Sequence, residues 1–340
     1  MDVSGIAWGL TALVVVGLIL FDFFAHVRTP HEPTFRESAW WSAGYIGLAL
    51  LFGVVVGVVW GWGVGGEYFA GYVTEKSLSV DNLFVFLIIM TRFAVPRIYQ
   101  QKVLLVGVVI ALVLRTIFIL LGAAAIEQWS WVFYVFGGFL VYTAVKLARG
   151  DHEDGPVEDK GDSLLVRWMK RVLPTTNEYH GDRLTVKVDG RRLLTPMLLV
   201  MAAIGSTDIL FALDSIPAIY GLTSEPYIVF TANAFALLGL RQLYFLIGGL
   251  LERLVYLSQG LAVILGFIGV KLVLHALHTN ELPFINGGEP VAWAPEIPIW
   301  LSLTVILGTL AVATIASLIK TRSDGAAAPA PDAGRPTTHE

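Results

Sequence analysis

The sequence predicts an all-α polytopic membrane protein of about nine transmembrane helices, with helices 3–5 and 6–8 forming two inverted three-helix repeats. Three observations predict it. The chain is 56% hydrophobic and only 15% charged, with a mean hydropathy of +0.70, whereas a soluble globular protein carries about 25% charged residues. Apolar runs long enough to cross a ~30 Å hydrocarbon core recur along the chain, and positive charge is confined to alternate connections between them. Short motifs of the third to fifth runs also reappear, in order, in the sixth to eighth.

The runs lie near 4–25, 40–62, 67–90, 103–125, 130–148, 195–221, 227–249, 258–277 and 297–319, giving nine spans. The first has no upstream basic region and no small-residue cleavage pattern, so it reads as a retained span rather than a removed signal peptide. Arg28 and Arg36 follow span 1, Arg92, Arg97 and Lys102 follow span 3, Arg253 follows span 7, and Lys320 and Arg322 follow span 9. The connection 149–192 after span 5 holds nine Lys and Arg residues, from Arg149 to Arg192. The remaining connections hold Glu67, Glu127, Glu225, Glu281, Glu289 and Glu296 and no Lys or Arg. By the positive-inside rule this alternation predicts the N-terminus outside and the C-terminus in the cytoplasm.

Residues 1–322 are expected to form the transmembrane domain, with repeat 1 over about 67–148, the cytoplasmic loop 149–192 and repeat 2 over about 195–277. In the loop, Leu164, Leu165, Trp168, Met169 and Val172 recur at helical spacing between Arg167, Lys170 and Arg171, as in an amphipathic helix on the inner leaflet. Asp189-Gly190, flanked by Leu184 to Val188, reads as a hairpin turn. Residues 323–340 are Ala/Pro/Asp-rich and are expected to be disordered. A net charge of −4 argues against a nucleic-acid partner, and the absence of cysteine excludes disulfides and thiolate metal sites.

The repeat is colinear. Glu75 and Asp81 align with Asp208 and Asp214 at an offset of 133, Leu114-Arg115 with Leu240-Arg241 at 126, and Val145-Lys146-Leu147 with Val270-Lys271-Leu272 at 125. Three spans is an odd number, so the two copies cross the membrane in opposite senses. Inverted repeats with polar helices in corresponding positions are a property of secondary transporters, whose substrate site lies near the midplane.

Ionisable residues inside a membrane are costly and usually functional. On a regular helix Glu75 and Asp81 stand about 9 Å and about 120° apart, so one unbroken helix cannot clasp an ion with both. Pro217, Ser77, Ser79 and Ser215 make local unwinding an expectation, most of all at Pro217. Depth, counted from the span ends, pairs Arg241 with Asp81 and Arg115 with Asp214. Glu75 and Asp208 are then left facing each other, with Ser79, Asn82 and Thr207 as neutral oxygens. Lys76 is the competing partner for Glu75. Two carboxylates with neutral oxygens form a hard site suited to Mg²⁺, Mn²⁺ or Ca²⁺. The alternative is that the acids are ion-paired glue. Asp22 and His26, four apart at the inner end of span 1, read as a metal site or an interfacial pair.

Glu75-Lys76-Ser77-Leu78-Ser79-Val80-Asp81-Asn82 and Phe211-Ala212-Leu213-Asp214-Ser215-Ile216-Pro217-Ala218 resemble the two signature motifs of the TerC/Alx family of integral membrane proteins. Thr175 to Tyr179, Leu238-Gly239-Leu240-Arg241 and Gly269-Val270-Lys271 are also similar, so the resemblance runs from about residue 20 to 275. It implies a bacterial inner-membrane protein linked to manganese export and, by name, to tellurium resistance. It departs at Gly205, where the family usually has a Glu, so one carboxylate of the implied ligand set is missing. The leading expectation is thus an alternating-access exporter of Mn²⁺, with no cofactor and no enzyme activity. The bilayer and the metal ion are its only implied partners. A non-transporting scaffold or stress sensor is the first alternative. An intramembrane aspartyl enzyme is the second, and the chain lacks the Gly-x-Gly-Asp motif of such enzymes.

Overall fold

Every apolar run is helical in the computed structural model, which describes residues 3–27, 32–129, 131–149, 166, 169, 171–176, 178–188, 191–247, 256–280, 282, 285–291 and 293–327. Helix α1 (Gly5–Asp22) ends in a π-helical turn at Phe23–Val27 and is followed by α2 (Phe35–Trp60), α3 (Trp62–Arg92), α4 (Arg97–Gln128) and α5 (Val132–Ala148). A hairpin of β1 (Thr185–Val188) and β2 (Arg191–Leu194) leads into α6 (Pro196–Tyr220), α7 (Pro226–Leu237), α8 (Leu240–Ile247), α9 (Leu257–His278) and α10 (Ile299–Ala327).

Local chemistry sets several helix starts. Thr34 and Glu37 form a reciprocal capping box at the head of α2, which satisfies two otherwise orphaned amides. Pro196 and Pro226 occupy the first positions of α6 and α7, where a missing N–H costs nothing. Among the described residues, seven helical segments are long and apolar enough to cross a membrane by length and composition. Of the other two expected spans, α3 is long enough at 31 residues but carries Glu67, Glu75, Lys76, Asp81 and Arg92, and α5 is an apolar helix of 17 residues. Leu13, Val58, Trp62, Val312 and Ile319 stand exposed on α1, α2, α3 and α10. An apolar periphery of this extent belongs against lipid.

The core is built around α3 and α6, which pack against each other. Gly71 early in α3 lies against Ile219 late in α6, while Leu83 and Phe86 share a cluster with Met197 and Val200, so the two run antiparallel. Helix α3 also packs on α2, α7 and α10, α4 on α6 and α7, and α5 on α9. The α5–α9 contact is close. A Cβ added at Gly137 would lie 2.8 Å from the Gly269 carbonyl oxygen, and one at Gly269 would lie 2.9 Å from that of Gly137.

The hairpin forms as read from Asp189-Gly190: Val188 pairs with Arg191 and Thr185 with Leu194. Those two turn residues themselves lie outside the described residues. The hairpin segment is tied to the bundle by Tyr179, whose hydroxyl donates to the Phe93 carbonyl at 2.6 Å, and by a 2.6 Å ion pair between Lys102 and Asp182. Of the expected amphipathic helix, Leu164, Leu165 and Trp168 lie outside the described residues. Val166, described as helical, is fully buried in the core around α3, α4 and α6. Helix α10 continues to Ala327, past the expected start of the tail at 323.

Two expectations about backbone are corrected. Helix α6 runs through Pro217 without unwinding, and α3 is continuous through its serines. Pro217 stands only three residues before the end of α6, so its missing N–H removes a single bond in the last turn. The break comes instead in span 7, between α7 and α8, where Gly239 has φ +77°. A Cβ there would also lie 2.9 Å from Tyr45 Cβ. Gly239→Ala should therefore destabilise the protein by about 1–2 kcal/mol from the left-handed backbone alone, and by more from the overlap. Gly138→Ala, with nothing within 4 Å of the added Cβ, should be neutral or stabilising by up to ~1 kcal/mol. Thermal unfolding of both variants in detergent checks the contrast.

Candidate ion site at the centre of the bundle

Three charged side chains meet at the middle of the three central helices. Glu75 is the fourteenth of the 31 residues of α3, Asp208 the thirteenth of the 25 of α6, and Arg115 the nineteenth of the 32 of α4. Each is at most 1% exposed. The Arg115 guanidinium is ion-paired through Nη1 to Glu75 Oε1, and its Nη2 lies 3.7 Å from Asp208 Oδ1.

The helical period of α3 builds one wall of this site. Glu75, Ser79 and Asn82, at i, i+4 and i+7, share a face. Ser79 Oγ donates to Glu75 Oε1 at 3.3 Å. With its amide oxygen turned toward α4, Asn82 accepts from Arg115 Nη2 at 3.3 Å and donates to the Leu78 carbonyl at 3.1 Å. Glu75 Oε2, Asp208 Oδ2 and Arg115 Nε are buried with no hydrogen-bond partner among the described residues. Two carboxylates and one guanidinium leave one negative charge in surplus when all are ionised.

Glu75 and Asp208 come together at one site, each lying on the Arg115 guanidinium. Depth counting had paired Arg115 with Asp214. Both the expected span, 103–125, and the observed helix, Arg97–Gln128, put Arg115 within about 4 Å of the midpoint, so its depth does not by itself separate Asp214 from the two central acids. The side chains of Asp81 and Asp214 lie outside the described residues. Thr207, expected as a neutral ligand, donates back to the Ala203 and Ile204 carbonyls of its own helix. Position 205 faces α4, where a Cβ would lie 3.3 Å from Ile110 Cγ2, so this chain fills with an isoleucine side chain the space beside its missing carboxylate.

Lys76 does not neutralise Glu75. One residue further round the helix, its ammonium donates to the Ala236 and Leu238 carbonyls at 2.9 and 3.3 Å. These are orphan acceptors at the C-terminal end of α7, where the helix dipole favours a cation. The break at Gly239 and the lysine thus form one device.

Arg241 has a partner that sequence reasoning missed. Its Nε and Nη2 donate to the two carboxylate oxygens of Asp22 at 3.1 and 2.8 Å, and Nη1 contacts Gln101 Oε1. Gln242 and Tyr45 also donate to Asp22 Oδ1, at 2.8 and 3.1 Å. Asp22 is therefore the carboxylate of a buried cluster joining α1, α2, α4 and α8; the His26 side chain of the expected Asp22–His26 pair lies outside the described residues. No group of three or more His, Cys, Asp or Glu residues placed to hold a metal occurs among the described residues.

Removing one partner of a buried ion pair costs about 3–5 kcal/mol, because the other charge is stranded. Asp22→Ala should lose stability on that scale, and adding Arg241→Met should recover most of the loss. Denaturant titration of the single and double variants measures it, and a loss below about 1 kcal/mol for Asp22→Ala would contradict the bidentate pairing.

Residues 60–325 match the family model described as "Integral membrane protein TerC family". An uncharacterized membrane protein of Mycobacterium tuberculosis is 54% identical over 323 residues, covering 95% of this chain and 81% of the relative. An uncharacterized membrane protein of Myxococcus xanthus is 40% identical over 332 residues, 97% and 96% of the two chains. An Escherichia coli protein named "Putative membrane-bound redox modulator Alx" is 38% identical over 320 residues, 91% and 92% of the two chains. No solved structure matches the chain.

Proposed function

The chain belongs to the integral membrane protein TerC family, and from that premise we propose that it exports a divalent metal cation, Mn²⁺ before others, by alternating access in the bacterial inner membrane. Glu75 and Asp208 are the principal ion ligands, and Ser79 and Asn82 supply neutral oxygens. The N-terminus is outside and the C-terminus cytoplasmic, following the Lys and Arg distribution. One observation carries the reading: two carboxylates, each with a buried oxygen lacking a hydrogen-bond partner, meet at the midpoints of two helices that run in opposite directions. Oxygen-only ligands of this kind suit a hard divalent ion.

The packing supports the inverted repeat that alternating access needs. Exchanging α3, α4 and α5 with α6, α7 and α9 turns the α3–α7 contact into α6–α4, while α3–α6, α4–α7 and α5–α9 map onto themselves. A pseudo-two-fold axis in the membrane plane has that consequence. The helix broken at Gly239 near mid-depth is a further transporter feature. The name of the Escherichia coli relative speaks of redox modulation. This chain has no cysteine, so an effect of its own on redox state runs through the metal it moves rather than through a thiol.

Glu75→Gln and Asp208→Asn keep shape and hydrogen-bonding capacity and remove one charge each. A divalent ion crossing the bilayer then loses compensation worth several kcal/mol, and each 1.4 kcal/mol is tenfold in occupancy. Both variants should insert and fold yet show Mn²⁺ flux in proteoliposomes reduced at least tenfold per folded molecule, with or without a pH gradient. Wild-type flux in both would end the assignment. A scaffold or sensor acting through the 149–192 connection would show no flux in the wild type either.

A further inference from the structure

We propose that Arg115 is the resident counter-cation of the central site, and that it and the transported divalent ion hold Glu75 and Asp208 in turn. The proposal rests on the transport reading above and adds to it a competitor built into the chain.

The guanidinium takes the space a metal needs. A divalent ion must stand about 2.0–2.6 Å from its carboxylate oxygens. Glu75 Oε1 and Asp208 Oδ1 are the two carboxylate oxygens that Arg115 approaches with Nη1 and Nη2. Both nitrogens and the ion would occupy one cleft, in surroundings where all three residues are at most 1% exposed.

Charge gives the same answer. With Arg115 in place the two carboxylates keep one negative charge in surplus. With the ion in place and the guanidinium withdrawn the site is neutral. With both present it carries a positive charge that no described group offsets, and low-dielectric surroundings strengthen the repulsion. Alternation is the arrangement that reaches a neutral site and keeps two like charges, the guanidinium and the divalent ion, from sharing one low-dielectric cleft. The repeat sets this role apart: Arg241, which aligns with Arg115, sits past the Gly239 break and is bound to Asp22.

A purely structural arginine and a competitor differ in the sign of one measurement. Mn²⁺ affinity is read by titration calorimetry on the purified full chain, and flux in proteoliposomes, for wild type, Arg115→Gln and Arg115→Lys. The competitor predicts that Arg115→Gln binds Mn²⁺ at least tenfold more tightly than wild type while turning over more slowly, because nothing drives release. Arg115→Lys should fall between, since an ammonium keeps the charge but not the two-pronged contact; if the Gln variant does not fold, the Lys variant carries the test by the same sign. Free guanidinium chloride below the denaturing range should compete with Mn²⁺ in Arg115→Ala and leave wild type unaffected. Wild-type Mn²⁺ flux together with unchanged or weaker binding in the Gln and Lys variants overturns the proposal alone. No Mn²⁺ binding or flux in the wild type removes the transport reading and the proposal with it.

Discussion

The fold is organised around the electrostatics of placing Glu75, Arg115 and Asp208 where no water reaches. Charges in a bilayer-spanning bundle are tolerated when they pair and when helices, not loops, carry them. The chain meets both conditions by setting each residue near the centre of a helix of at least 25 residues. Helices α3 and α4 then pack on α6, and Arg115 reaches Glu75 between them. The apolar surfaces of α1, α2 and α10 are peripheral to that requirement and face outward.

The second constraint is the break at Gly239. A helix interrupted inside a membrane exposes carbonyls that need a donor, and Lys76 supplies it from the helix that also carries Glu75. Adjacent residues of α3 thus serve different partners: Glu75 faces α4 and Lys76 faces the end of α7. The break also divides two aligned arginines. Arg115 sits in a continuous helix and reaches the central acids, while Arg241 begins a new segment and reaches Asp22.

Much of this was legible in the sequence. Nine apolar runs were readable, and among the described residues seven helical segments are long and apolar enough to cross a membrane, because membrane helices need length and apolarity more than any finer pattern. The Asp189-Gly190 hairpin was readable from turn chemistry, and the acids of α3 and α6 stood out by their cost. What escaped had physical reasons. Arg97 to Lys102 looked like a connection, yet helix α4 extends through it. Gly239 lies in an unbroken apolar run, where a glycine is usually harmless in a helix; only Lys76, 163 residues earlier in the chain, marks it as a break. Asp22 and Arg241 are separated by 219 residues, and no periodicity connects them.

The account turns on whether a divalent ion and Arg115 exchange places between Glu75 and Asp208. A structure of the full chain in lipid with Mn²⁺, located by its anomalous scattering, tests this most directly. The account predicts a manganese peak bound by both carboxylates, with the Arg115 guanidinium withdrawn from them. A peak elsewhere, or Arg115 still bridging the two acids at saturating Mn²⁺, would contradict it.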